Sequence, residues 1–219
     1  MFEDVNAFTG QRAEAAQHWA AAHGWAFAPE NPALVGRWQG DPFDEGHLRR
    51  ATEVVNGTWS GRPAVSFQYS YWDTFGERQS ALDKYGTHQH VVVMQLPQPL
   101  PWLWLAPEDE GAEFLRSLAD LDGVGERRFD RVIKPGYPQF EKAWWVRGPD
   151  NQFPTDFLHQ AMMDRLLQPD ARRAIFLGVE SADLYAVFQR RPELEQIEPT
   201  LRLLEDLIDL VPDQVWARA

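Results

Sequence analysis

The sequence predicts an α+β protein, an antiparallel sheet built from hairpins with helices packed on it. Three observations carry this reading. Residues 63–72 alternate strictly: Val65, Phe67, Tyr69 and Tyr71 fall to one side and Ser66, Gln68 and Ser70 to the other, the period of a half-buried antiparallel strand. Strand-like runs come in local pairs around turn residues, not singly between helices. Near the C-terminus Leu194, Ile197, Leu201, Leu204 and Ile208 keep helical spacing until Pro212 stops them.

Taken in order, residues 10–23 read as a helix, because Ala13, Ala16, Trp19, Ala20 and His23 fall on one face and Gly24 follows as a stop. Residues 25–47 hold Pro29, Pro32 and Pro42 and allow only short extended pieces. Residues 51–59 and 63–72 pair as a hairpin about Ser60-Gly61-Arg62, with a bulge at Asn56-Gly57. A polar connection covers 73–86. The next strand runs over 87–96 around Val91-Val92-Val93, and Pro97, Pro99 and Pro101 end it. Trp102 to Leu105 then begin a short edge strand, and a helix follows over 109–121. Phe129 to Ile133 and Phe140 to Val146 are extended. A helix starts near Pro154 with Phe157, Leu158, Ala161, Met162 and Leu166 as its stripe. Residues 173–179 and 184–190 form a second hairpin around Ser181-Ala182-Asp183, ahead of the last helix.

The chain of 219 residues is read as one domain, 1–219, with its weak seam near 106–125 and another at 147–153. It has no cysteine, which excludes disulfides, thiolate chemistry and cysteine-ligated metals. The net charge of −12 repels phosphate backbones, and the arginine pairs Arg49-Arg50, Arg127-Arg128, Arg172-Arg173 and Arg190-Arg191 stand apart, so nucleic-acid binding is not expected. An acidic surface of this kind steers a basic protein partner. No apolar run approaches the roughly 18 residues of a membrane helix, so membrane insertion is not expected. The early acids of the N-terminus are unlike a signal peptide, and a cytoplasmic location is the expectation. Ten tryptophans are an unusual number, whereas the excess of arginine over three lysines fits a GC-rich genome.

There is no phosphate-cradling glycine loop, no Gly-x-Ser-x-Gly elbow and no His-Glu-x-x-His helix. The sharpest local pattern is His88-x-His90. Two imidazoles two residues apart on a strand project from one face, and Asp73, Glu77 or Asp83 of the preceding segment could add an oxygen to a metal site. The plainer reading is two histidines where a strand leaves its loop. Tyr71 and Trp72, with Tyr69, Trp102 and Trp104, form the second candidate, since aromatic faces with polar edges stack on sugars or flat ligands. Alternating aromatics also simply fill a core. Of Trp144 and Trp145, one must be core and the other exposed or at an interface. The last helix has an apolar stripe that either packs on its own sheet or pairs with its copy in a homodimer.

Residues 40–72, containing Gly46-His47-Leu48-Arg49-Arg50-Ala51-Thr52-Glu53-Val54-Val55-Asn56-Gly57-Thr58-Trp59, together with His23-Gly24-Trp25, His88-Gln89-His90 and Leu210-Val211-Pro212, resemble a family of small uncharacterised actinobacterial proteins. The resemblance implies a bacterial protein and carries no activity with it. The leading expectation is a non-enzymatic binding or protein-interaction module with no cofactor. Two alternatives stand beside it: a metal-dependent hydrolase centred on His88 and His90 with Asp73 or Asp83, and a carbohydrate or flat-ligand binder using Trp72, Trp102 or Trp104.

Overall fold

The structure, a computed structural model, describes residues 2–39, 43, 44, 46–72, 87–108, 130–188 and 194–218. It is an α+β protein whose strands pair antiparallel in a sheet that carries helices. The chain forms two compact units, one of residues 1–92 with 189–197 and the other of 93–188 with 198–219. One long strand runs from the first unit into the second. The sequence expectations for 73–86 and for a helix over 109–121 lie outside the described residues, as does most of the seam near 106–125.

In the first unit, α1 (Phe2–Ala22) is followed by β1 (Ala26–Glu30), β2 (His47–Trp59) and β3 (Arg62–Trp72), and β4 (Thr87–Pro107) enters with its first residues. α1 ends as its sequence predicts. Trp25 N–H donates to Ala20 C=O at 2.8 Å and Gly24 N–H to Ala21 C=O at 3.3 Å, with Gly24 at φ 69°, so the last carbonyls are satisfied. The β2–β3 hairpin closes at Ser60-Gly61 with both residues at positive φ, the turn whose twist suits flanking strands.

The bulge expected at Asn56-Gly57 is absent. Asn56 pairs Val65 and Gly57 pairs Ala64 in continuous register, and the irregularities lie at 47–50 and 52–55, where Leu48 and Glu53 take φ of 52° and 51°. Gly57 answers a different need: the Trp25 ring lies so close that a Cβ there would sit 2.5 Å from it. One face of β3 carries Phe67, Tyr69 and Tyr71 into a ring cluster with Trp38 and Phe43; Trp38 stacks on Phe67 and Phe43 meets Tyr69 edge-on. On the opposite face, polar in sequence, Ser66 and Gln68 are buried as well and Ser70 is half-buried.

In the second unit β4 continues, joined by β5 (Asp130–Val132), α2 (Pro138–Glu141), β6 (Trp144–Pro149), α3 (Phe153–Phe157), α4 (Gln160–Leu166), β7 (Phe176–Phe188), α5 (Ile197–Asp209) and α6 (Asp213–Trp216). Trp102 to Leu105 do not form a separate edge strand. They continue β4, and Trp104 to Pro107 pair with Arg147 to Trp144 of β6. The prolines are tolerated because Pro97, Pro99 and Pro101 fall on alternate residues, so their missing N–H groups lie along one side of the strand. β7 turns back on itself at Ser181 (φ 55°), the expected second hairpin: Ile175 N–H donates to Val187 C=O at 2.9 Å, and the Tyr185 ring lies over Gly178. The single helix expected from Pro154 is two short ones. Leu158, at ψ 50°, breaks it, which leaves Ala161 exposed while Met162, Met163 and Leu166 are buried.

Leu103 and Leu105 of β4 alternate inward, and Trp144 and Val146 of β6 join them. Trp144 is the core tryptophan of its pair, its Nε1–H donating to Leu166 C=O at 3.0 Å. Arg165 of α4 grips Asp170 at 2.7 Å and Asp206 of α5 at 2.9 Å. The stripe Leu201, Leu204 and Ile208 of α5 is buried. Among the described residues no helix is long and apolar enough to cross a membrane.

Candidate functional site

The histidine pair stands at the start of β4, where alternation sets both imidazoles on one face of the sheet. His90 is enclosed. Its Nε2 lies 2.9 Å from Ser66 Oγ and its Nδ1 2.8 Å from the Gln68 side-chain amide, so both ring nitrogens are committed to β3. Burial, reinforced by the field of Arg12, pushes the imidazole down to about 3. A neutral ring with both nitrogens occupied turns no lone pair outward to an ion. His88 is half-buried, and Asp73, Glu77 and Asp83 lie outside the described residues. Among the described residues no three His, Asp or Glu side chains gather as a metal site would require.

Around His90 the polar residues continue. Arg12 of α1 reaches Glu53 of β2, Nε to Oε2 at 3.3 Å, with the Glu53 side chain only 9% exposed. Glu53 is the left-handed residue of the second β2 bulge, and that conformation aims its carboxylate at α1. The sequence shows Ser66 and Gln68 as an outward polar face. In the fold both are buried beside His90.

The aromatic candidates separate by environment. In the first unit Tyr71 is buried, its ring 6.2 Å from that of Tyr69, and the Tyr69 hydroxyl donates to Phe43 C=O at 2.9 Å; burial raises that phenol to about 12. Trp72, the next residue, is 41% exposed. In the second unit Trp104 is buried against Phe176, and Trp102 is half-buried with its ring 5.0 Å from that of Trp104. Cross-strand partners share a face, so Arg147 and Trp145 of β6 belong with Trp104 and Ala106. There the Arg147 guanidinium lies 5.7 Å from the half-buried Trp145 ring. Trp145, half-buried, is thus the more accessible member of its pair. The second unit also holds a cleft of about 220 Å³ lined by Pro101, Phe153 and Val215 together with the Arg218–Asp156 ion pair, 2.5 Å.

One residue was invisible to sequence reasoning. Leu48 is 69% exposed, and its left-handed backbone is one a leucine disfavours. It follows His47, which pairs directly with Trp72, so Leu48 and Trp72 stand together at the open end of the β2–β3 hairpin. The corner is tight: Gly46 packs so closely on the Trp72 backbone and the Tyr71 ring that a Cβ there would clash with both. Arg49, two residues beyond His47, donates to Phe43 C=O at 2.6 Å and anchors the same bend. No sequence signal marks Leu48, since the bulge that turns it outward depends on pairing with β3.

No protein-family model and no curated protein matches the chain. Among solved structures it is similar to the mycobacterial trehalose monomycolate transport factor A, TtfA, at a TM-score of 0.61 and 16% identity over 91% of this chain and 96% of that one. The two share a fold.

Proposed function

We propose that the chain is a non-enzymatic binding module of an actinobacterial family, and that it docks a protein partner at the Leu48–Trp72 corner. The observation that carries this is Leu48 itself. A leucine held at φ 52° and left in water bears two unfavourable terms at one position; covering the side chain removes the exposure, and replacing it with glycine removes both. The shared fold with a protein named as a transport factor supports a binding role, and the net charge of −12 favours a partner with a basic surface. His90, sealed in the interior, does no chemistry in this reading.

The test separates stability from binding. Leu48→Gly is expected to raise the unfolding free energy by about 1 kcal/mol, because glycine accepts the left-handed conformation. In affinity capture at low salt, the same variant and Trp72→Ser are expected to lose a protein that the natural chain retains and releases as salt rises. Retention of that protein by both variants would sink the proposal.

A further inference from the structure

We propose that the cleft of the second unit is a binding site for a small aromatic carboxylate, a single ring that carries one anionic group. All of its lining residues belong to that unit, so it is independent of docking at Leu48 and Trp72. The lining comes from three places: Pro101 of β4, Phe153 and Asp156 of α3, and Val215 of α6 with Arg218 just beyond it. Close contacts fix these elements in place. Gly148 of β6 lets α3 pack tightly, for a Cβ there would lie 3.1 Å from Pro154. The Gln98 side-chain amide donates to Trp216 C=O and ties α6 to β4. Walls held in this way need little ordering when a ligand arrives.

The polar groups of the cleft are few and of one kind. Asp156 is the inner member of its ion pair, its side chain 18% exposed, and both of its oxygens already accept. Oδ1 takes Gln152 Nε2–H at 3.2 Å, and Oδ2 takes Arg218 Nη1–H at 2.5 Å. Arg218 is the outer member at 64% exposed, and Nη1 alone makes that contact, so the rest of its fork faces a newcomer. Asn151 Oδ1 accepts from Phe153 N–H at 2.9 Å, which leaves the Asn151 amide as a further donor. A lining of apolar side chains with converging donors suits an apolar body headed by an acceptor. A guanidinium matches a carboxylate in both charge and geometry, and Asp156 steadies it for that role. The half-buried Phe153 ring, 5.6 Å from that of Phe157, offers an aromatic surface for a second ring to meet offset or edge-on. The volume of about 220 Å³ sets the size at one ring, since sites for larger molecules run from roughly 300 Å³ upward.

Titration of phenylacetate into the isotope-labelled full chain, followed by NMR at neutral pH, tests this. The backbone amides of Phe153, Asp156 and Val215 are expected to shift together and saturate with a Kd of about 1 mM, the scale for a ligand of this size. Phenylacetamide, the same body without the charge, is expected to bind about tenfold more weakly, as is phenylacetate to Arg218→Gln. Hexanoate, which keeps the charge and lacks the ring, is expected to bind about threefold more weakly. Pro101→Asp sets a like charge in the exposed wall and leaves the Arg218–Asp156 pair intact, and it is expected to weaken phenylacetate about tenfold. That variant decides the matter should Arg218→Gln loosen α6. Shifts that never saturate, shifts centred away from the cleft, phenylacetamide or hexanoate binding as tightly as phenylacetate, or a Kd that Pro101→Asp leaves unmoved would each overturn the proposal.

Discussion

The two units solve the same packing problem with different materials. In the second, β4 and β6 send Leu103, Leu105, Trp144 and Val146 into an apolar interior, and the helices are tied down by directed contacts: Trp144 to Leu166, Arg165 to Asp170 and Asp206, and His159 Nε2 at 2.8 Å from Leu210 O. In the first, one face of the sheet is a ring cluster as well packed, but the other buries the polar Ser66, Gln68 and His90. Apolar interiors are indifferent to pH, whereas a buried histidine is not. The difference teaches where this protein can respond to its surroundings: in the first unit, at His90.

The sharpest way to break the comparison is to cut into the second unit's interior. Trp144→Ala removes a fully packed ring and leaves Leu166 C=O without its donor, so urea unfolding is expected to show a loss of about 4 kcal/mol. A loss under about 1 kcal/mol would mean that interior is less decisive than its packing implies.

A second test turns on His90. Its folded-state affinity for protons is pushed down to about 3, against about 6.5 in the unfolded chain, so between those values the unfolded state holds the extra proton. Stability is therefore full above about 6.5 and falls as pH drops, with a slope approaching 1.4 kcal/mol per pH unit near the middle of that window. Urea titrations at a series of pH values should show this slope for the natural chain and lose it in His90→Gln. An unchanged slope in the variant would assign the acid sensitivity to other groups.

The smallest effect sharpens the contrast at the surface. Arg165 is largely covered and holds two carboxylates, keeping the Asp170 carboxyl below its ordinary range, and Arg165→Ala is expected to cost about 1 kcal/mol. Arg50, by contrast, meets Glu30 in open water at 2.6 Å, and Arg50→Ala is expected to leave the unfolding midpoint where it was. Equal losses from the two would mean that exposure does not grade these pairs.

Much of this fold is legible in the amino-acid order because its signals are local. The period-two run of β3, the turn at Ser60-Gly61, the C-terminal stop at Gly24 and the stripe of α5 each depend on residues a few positions apart. The misreadings arise where distant segments meet. Gly57 looked like a bulge and is a glycine because Trp25 lies on it. Trp102 to Leu105 looked like an edge because prolines surround them, yet β6 pairs with that stretch. The stripe from Phe157 to Leu166 looked continuous, but the chain breaks at Leu158. Of the aromatic candidates, the order of amino acids could not separate the exposed Trp72 from the buried Tyr71, because neighbours on a strand differ only in what lies above each face.

The sequence by itself determined the class of fold, the pairing of its principal hairpins, the absence of thiol chemistry and the acidic balance, since composition and short-range periodicity need no partner. Tertiary structure alone decided that Ser66 and Gln68 are interior, that His90 is locked neutral between them, and that Leu48 points into water. Those outcomes depend on which surface a helix covers and where a strand slips by a residue, and both are set by contacts between segments far apart in the chain.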